Sequence, residues 1–169
     1  IAGAHEWVLK ATAVLMHAGT LTVFFLFVRR ITRSERAAVL AVVFSVCMPE
    51  SWLAPTLLLT DRPLAFCWVL AMYAFHRAQR GDRGMWALAG AALGLGMLSK
   101  YTMAVLAAAF FAYLLLCRRD LLRKAGPWLM LGCALLCLSG VAYWNWRHGW
   151  PSLRHTAGLN VPEAPGLGG

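Results

Sequence analysis

The sequence predicts an all-α protein built into a membrane, a single polytopic helix bundle of about six transmembrane segments. Three observations carry that expectation. Of 169 residues, 60% are hydrophobic and 14% charged, with a mean hydropathy of +0.62; an ordinary soluble domain has about 45–50% apolar and about 25% charged residues. The apolar residues gather into runs too long and too many for one soluble core. The charge sits between the runs and is basic: Arg29, Arg30, Arg33 and Arg36, then Arg77, Arg80 and Arg83, then Arg118, Arg119, Arg123 and Lys124.

That clustering decides what the net charge of +9 means. A nucleic-acid binder gathers its cations on one face of a folded domain. Short basic loops between apolar runs follow instead the rule that Lys and Arg collect on the cytoplasmic side of a membrane protein. The expected partner is the lipid bilayer, not nucleic acid. The five cysteines, Cys47, Cys67, Cys117, Cys133 and Cys137, lie within or at the ends of apolar runs, and none forms a C-x-x-C pair. An odd count without metal-ligand spacing argues against a disulfide framework, so they read as small hydrophobes.

The spans follow in order. A helix needs about 20 mostly apolar residues to cross the hydrocarbon core, and residues 7–28 supply the first. Lys10 snorkels from its start, and His17 reads as a packed or hydrogen-bonded helix residue. A second span covers 37–53. Its helix is expected to stop near Met48, because Pro49 and Pro55 remove backbone donors and clash with the preceding turn. A partly wet re-entrant or interfacial stretch then runs through Trp52 and Leu57, with a cavity expected near Glu50, since broken backbone at membrane depth needs protein or water beside it. The third span, 59–76, starts at Thr60 or Asp61 as cap, with Pro63 in the first turn where its missing donor costs nothing. The fourth, 85–99, is rich in glycine and alanine, and Gly90 with Gly94 forms a small-xxx-small pattern suited to close helix packing. Spans at 101–117 and 128–146 complete the set, the last opening after Gly126-Pro127 and closing among Trp144, Trp146 and Trp150.

Six spans put all three basic loops, with eleven of the sixteen Lys and Arg, on one side. Both ends of the chain, Glu50, Asp61, Lys100 and the Trp-rich tail then lie on the other. The chain begins at Ile1 without a signal-peptide pattern and ends in PEAPGLGG. It is expected to be one transmembrane domain over residues 1–169, internal to a longer protein.

Few residues here invite chemistry. Glu35, Asp82 and Asp120 sit in basic loops, where charge balance explains them. Asp61 satisfies the amides of a helix start and suits the dipole there, and the same carboxylate also suits a general base or a metal ligand. Lys100 with Tyr101 reads either as an interfacial lysine or as a contact for a lipid-linked phosphate. His148, His155 and Glu163 lack metal-ligand spacing. No nucleophile elbow, P-loop or dinucleotide fingerprint appears.

Three stretches carry a resemblance: LLLTDRPLAFCWVLAMYAFHRA, WALAGAALGLGMLSKYTMAVL and VAYWNWRHGWPSLRHTA. T-D-x-P opens a span, a Gly/Ala-rich helix ends in L-S-K-Y, and W-N-x-x-H-G-W follows a later span; GAHEWVLKATAVL before a span and Arg29-Arg30 adds a fourth feature. Together, in this order, they resemble the dolichyl-phosphate-mannose-protein mannosyltransferase-like membrane glycosyltransferases of bacteria, which include aminoarabinose transferases. The resemblance covers all but the last few residues. It implies a GT-C architecture in the bacterial inner membrane, an active face on the periplasmic side, and a polyprenyl-phosphate-linked sugar as donor to a lipid, glycan or protein acceptor. On it, Asp61 matches an acidic position near the active cavity, as a supporting acid or metal ligand. Lys100 matches the lysine closing the Gly/Ala-rich helix, a phosphate contact with Tyr101 and Arg62 beside it. Asn145 and His148 match the outer-loop motif. A divalent metal is an open possibility. The family's catalytic acid lies in a first outer loop before the segment matched here, so the isolated fragment is expected to be inactive. Two other readings fit the same residues: a lipid or sugar transporter-like bundle, whose broken helices and outward charges suit transport, and a non-catalytic membrane subunit.

Overall fold

The computed structural model describes residues 2–48 and 61–148, and these fold into helices joined by short turns. The re-entrant stretch, the cavity near Glu50, a cap by Thr60, and His155 and Glu163 lie outside the described residues.

Helix α1 (Ala2–Thr32) has 31 residues, about 46 Å at 1.5 Å per residue. It outruns the apolar run 7–28 at both ends. Arg29 and Arg30 form its last turn, where cations favour the negative end of the dipole. The hydroxyls of Thr12, Thr20, Thr22 and Thr32 donate to carbonyls four residues back, at 2.8–2.9 Å, so these polar side chains need no partner outside the helix. Arg33, at φ 55°, turns the chain, and Ser34 caps α2 (Glu35–Cys47) by accepting the Ala37 N–H at 3.3 Å. Met48 is extended (φ −66°, ψ 135°), as a residue before proline prefers. The helix stops where Met48-Pro49 says it should.

Helix α3 (Asp61–Ala78) carries Asp61 in its first turn, and α4 (Gly84–Ser99) and α5 (Met103–Cys117) follow. A four-residue helix that the sequence pattern does not announce, α6 (Arg119–Leu122), leads into α7 (Ala125–Arg147). Within α1, residues 11–32, and α7 are each long and apolar enough to cross a membrane by themselves. The apolar helices α4 and α5, at 16 and 15 residues, reach only about 24 and 22 Å.

Helix α4 is central, packed between α3 and α7, while α1 packs on α3 and α2. Its glycines explain the closeness to α7. A β-carbon at Gly90 would stand 2.1 Å from the Met130 carbonyl oxygen, and one at Gly94 2.6 Å from Cys137 Cβ. The small-xxx-small face therefore sets the α4–α7 contact. On the α3–α5 side, Phe75 stacks on Phe110 with ring centroids 4.0 Å apart and meets Trp86 edge-on at 5.8 Å, geometries that aromatic quadrupoles favour. Ala71, Ala74, Leu93, Met103, Leu114 and Met130 fill the rest of the core.

Outward, the bundle is greasy. Val39, Leu40 and Phe44 on α2, Val105 and Leu116 on α5, and Leu135 and Leu136 on α7 are all exposed. Contiguous apolar surface on this scale marks a lipid or protein interface, and here it is distributed along the helices that face away from the core.

Candidate functional site

Two local signals aim one acid and one base at the same end of the bundle. Asp61-Arg62-Pro63 starts α3, with a carboxylate at the favourable end of the dipole. Lys100 leaves α4 in an extended conformation (φ −156°, ψ 133°), while its N–H still closes the helix on the Gly96 carbonyl. Because α3 and α4 are consecutive and antiparallel, these two ends meet. Lys100 Nζ donates to Asp61 Oδ1 at 2.6 Å across 39 residues of sequence. Both side chains are about half exposed, at 48% and 45%, so the pair stays open to a ligand from outside the bundle.

Arg62, the next residue, differs from both. Its Nε and one terminal guanidinium nitrogen are buried and have no hydrogen-bond partner. Buried unsatisfied donors on a charged group are costly and call for an explanation. Among the described residues His17 of α1 lies within electrostatic reach of this guanidinium, and it offers no negative charge. Among the described residues, the end of α3 thus carries a cation with donors to spare, beside an ammonium bonded to the Asp61 carboxylate.

The remaining predicted site residues are placed as follows. Tyr101 adjoins Lys100 and is exposed. Asn145 is buried on α7, and its Nδ2 donates to the Val141 carbonyl at 3.1 Å. His148 ends the same helix; its ring stacks on Trp144 at 4.5 Å, with Nδ1 2.8 Å from the Trp144 carbonyl oxygen. Helix α7 runs parallel to α4, with Gly94 level with Ala134 and Cys137. It therefore continues past Ser99 by about 10 Å. Asn145 and His148 stand on that projecting part, above the level of the Asp61–Lys100 pair. On the other flank α1 runs parallel to α3, with Gly19 against Phe66 and Phe27 against His76, and it too projects beyond Asp61, by about 15 Å.

A metal finds little here. No group of three His, Cys, Asp or Glu side chains able to hold an ion occurs among the described residues, and a cation at Asp61 would face the Lys100 ammonium. The described donor set does not fit a divalent metal.

The opposite end holds the basic turns and three carboxylates, each bonded to an arginine: Glu35 to Arg29 at 3.1 Å, Asp82 to Arg77, and Asp120 to Arg118 at 3.2 Å. The Arg118 hydrogen bond holds the Asp120 carboxyl below its ordinary value. Sequence reasoning counted this end as solvated charge and missed a cavity there, between the α3–α4 turn and the start of α7. The signal available was Gly81 in the α3–α4 turn and Gly126 at the start of α7, two glycines that line it.

Comparison with known proteins bears on the family of the chain. The model of the dolichyl-phosphate-mannose-protein mannosyltransferase family matches residues 1–144, including both Asp61 and Lys100 and stopping just before Asn145. Neither the curated proteins nor the solved structures compared with the chain contain a match. A family match over this much of the sequence, on a helical bundle with an apolar exterior, is decisive: the chain belongs to the dolichyl-phosphate-mannose-protein mannosyltransferase family, a family of membrane glycosyltransferases.

Proposed function

We propose that the chain forms part of the donor site of a membrane glycosyltransferase, and that its Asp61–Lys100 end receives the phosphate of a polyprenyl-phosphate-linked sugar. The observation that carries this reading is the cationic surplus at that end. Lys100 is engaged by one half-exposed carboxylate, and Arg62 has buried donors without acceptors. A phosphate has acceptors for both.

The reaction needs little more from these residues. The bond between the anomeric carbon and the phosphate oxygen breaks, and the bond to the acceptor hydroxyl oxygen forms. The hydroxyl proton passes to a base, and the polyprenyl phosphate leaves with its negative charge. Lys100 and Arg62 stabilise that charge as it develops; such preorganised donors are a large part of transition-state stabilisation. Asp61 acts as a supporting acid that fixes the Lys100 ammonium in position before the donor arrives. Tyr101 borders the phosphate. Asn145 and His148, on the projecting end of α7, are positioned to meet the acceptor side rather than the phosphate.

Topology supports the same reading. Lys and Arg crowd the end of the bundle opposite Asp61, and the positive-inside rule assigns that end to the cytoplasm. Six membrane crossings in a GT-C arrangement then set the active face on the periplasmic side of a bacterial inner membrane. Helices shorter than the hydrocarbon core still cross where the bilayer thins around them.

The test uses the full-length protein in membranes with a radiolabelled polyprenyl-phosphate sugar. Lys100→Gln and Arg62→Gln should each lower the rate of transfer by about 100-fold, the usual loss on removing one charge-stabilising donor. Asp61→Asn should lower it less. Wild-type rates in both cation variants would overturn the assignment of the phosphate to this end.

A further inference from the structure

The cavity at the basic end belongs to no step of the proposed transfer. It measures about 580 Å³ and opens between the α3–α4 turn and the start of α7, within the range of ligand pockets, about 300–1,000 Å³. Buried Trp86 forms part of its wall, and Gly126 lets α7 start directly against that indole, where a β-carbon would stand 2.5 Å from Nε1. Arg83, from the α3–α4 turn, and Lys124, just before α7, both line it.

Those two cations are unusual in three respects. Each stands at the N-cap of a long helix, Arg83 before α4 and Lys124 before α7, and neither gives that helix a side-chain cap. An N-cap normally carries an acceptor, and a cation there opposes the dipole. Nor is either in a salt bridge among the described residues, because the carboxylates of this end are held by Arg29, Arg77 and Arg118. Asp120 feels the charge of Lys124 but is bonded to Arg118. Two cations without a salt-bridge partner among the described residues therefore line one cavity. An anion between them would answer both charges.

The surroundings choose the source of the anion. Leu129 lines the cavity and is exposed, and Trp128 beside it is exposed while its Nε1 donates to the Leu122 carbonyl. From there the exposed apolar side chains Leu135 and Leu136 continue along α7. Basic pockets between membrane helices on the positively charged side take anionic headgroups. A soluble phosphate would use the cations and leave the apolar surface unmatched.

We propose that this cavity binds the phosphate headgroup of an anionic glycerophospholipid, with its acyl chains along α7. Arg83 and Lys124 contact the phosphate, Trp86 backs the headgroup, and Leu129 and Trp128 meet the first carbons of the chains. Bound there, the lipid ties the α3–α4 turn to the α6–α7 turn. The site lies at the opposite end from Asp61 and Lys100 and does not depend on the transferase reading.

The full chain is purified in a neutral detergent and titrated with dioleoylphosphatidylglycerol or dioleoylphosphatidylcholine, with retained lipid read by native mass spectrometry. Phosphatidylglycerol should be retained at least about tenfold better, as expected from about fivefold per cation. The Arg83→Gln/Lys124→Gln variant should lose that preference. Arg33→Gln/Arg36→Gln, with the same charge removed from the α1–α2 turn, should keep it, and so should the charge-conserving Arg83→Lys/Lys124→Arg. Equal retention of the two lipids by the wild-type chain would overturn the proposal even if the Gln variant fails to fold. So would equal loss in the Arg33/Arg36 variant, which would mean diffuse surface charge. Displacement by equimolar inorganic phosphate would overturn it in favour of a soluble anion.

Discussion

Gly90→Ala sets two physical effects of opposite sign against each other. An alanine is a better helix former than glycine by about 0.8–1.0 kcal/mol, so at an open helix position this change stabilises. At Gly90 the new β-carbon would stand 2.1 Å from the Met130 carbonyl oxygen and 2.9 Å from Cys133 Cβ. The first contact is with backbone, which cannot rotate aside. Ordinary contact begins near 3.4 Å, so α7 must retreat by about 1.3 Å along the Gly90–Gly94 face. A gap of about 0.5–1 Å forfeits a quarter to a half of each dispersion contact it opens, and overpacking of this kind costs about 1–3 kcal/mol. The net expectation is a loss of about 1–2 kcal/mol. Gly132→Ala is the internal control: it lies on exposed α7 with nothing near its β-carbon position, and it should gain up to about 1 kcal/mol. Both variants are read by reversible unfolding in mixed micelles. A Gly90→Ala protein as stable as Gly132→Ala would refute the close α4–α7 packing.

Two further outcomes follow from ion pairs. A double-mutant cycle with Asp61→Asn and Lys100→Gln should give a coupling of about 0.2–1 kcal/mol that shrinks with added salt, the usual value for a half-exposed pair; a coupling above 3 kcal/mol would mean the pair is buried in the membrane-inserted protein. For Asp120, the Arg118 hydrogen bond favours the charged carboxylate and lowers the folded-state value below 3.8. Its stabilisation is thus complete above pH 3.8 and fades as the pH falls through the lower folded value. Carboxyl-carbon NMR of the labelled residue should give a midpoint below 3.8, moving up in Arg118→Gln; a midpoint unchanged by that substitution would remove the interaction.

How far the sequence spoke depended on whether a signal was local. Met48-Pro49 ends α2, Asp61-Arg62-Pro63 starts α3 and Lys100 leaves α4, all because proline, glycine and charge act on the turn in which they stand. The meeting of Asp61 and Lys100 was also legible, since two consecutive antiparallel helices bring the start of one to the end of the next. The partner of the glycine face was not. Gly90-x-x-x-Gly94 announces a close neighbour, but only the tertiary arrangement selects α7 over α3. The reach of α1 was underestimated because apolarity ends at Val28, whereas backbone hydrogen bonding continues through Arg29 and Arg30, which suit the last turn. α6 was invisible, being too short for any period. Arg62 looked like a minor neighbour of Asp61, and only burial of its unpartnered donors sets it apart.

The unequal helix lengths have a consequence for how the proposed lipid-linked donor would travel. On the proposed topology, α4 and α5 present about 22–24 Å of helix to a hydrocarbon layer about 30 Å thick. Water and headgroups must therefore dip toward Lys100, while α1 and α7 keep their full length on either flank. If the donor is the proposed polyprenyl phosphate, it would meet a local shallow in the membrane from the outer leaflet. It can reach the lysine without drawing its charge through hydrocarbon, and the cost of dehydrating a phosphate is largely avoided. Lengthening α4 by one turn after Leu98 would fill that shallow, and the substrate would then have to climb to a site it now reaches by sinking.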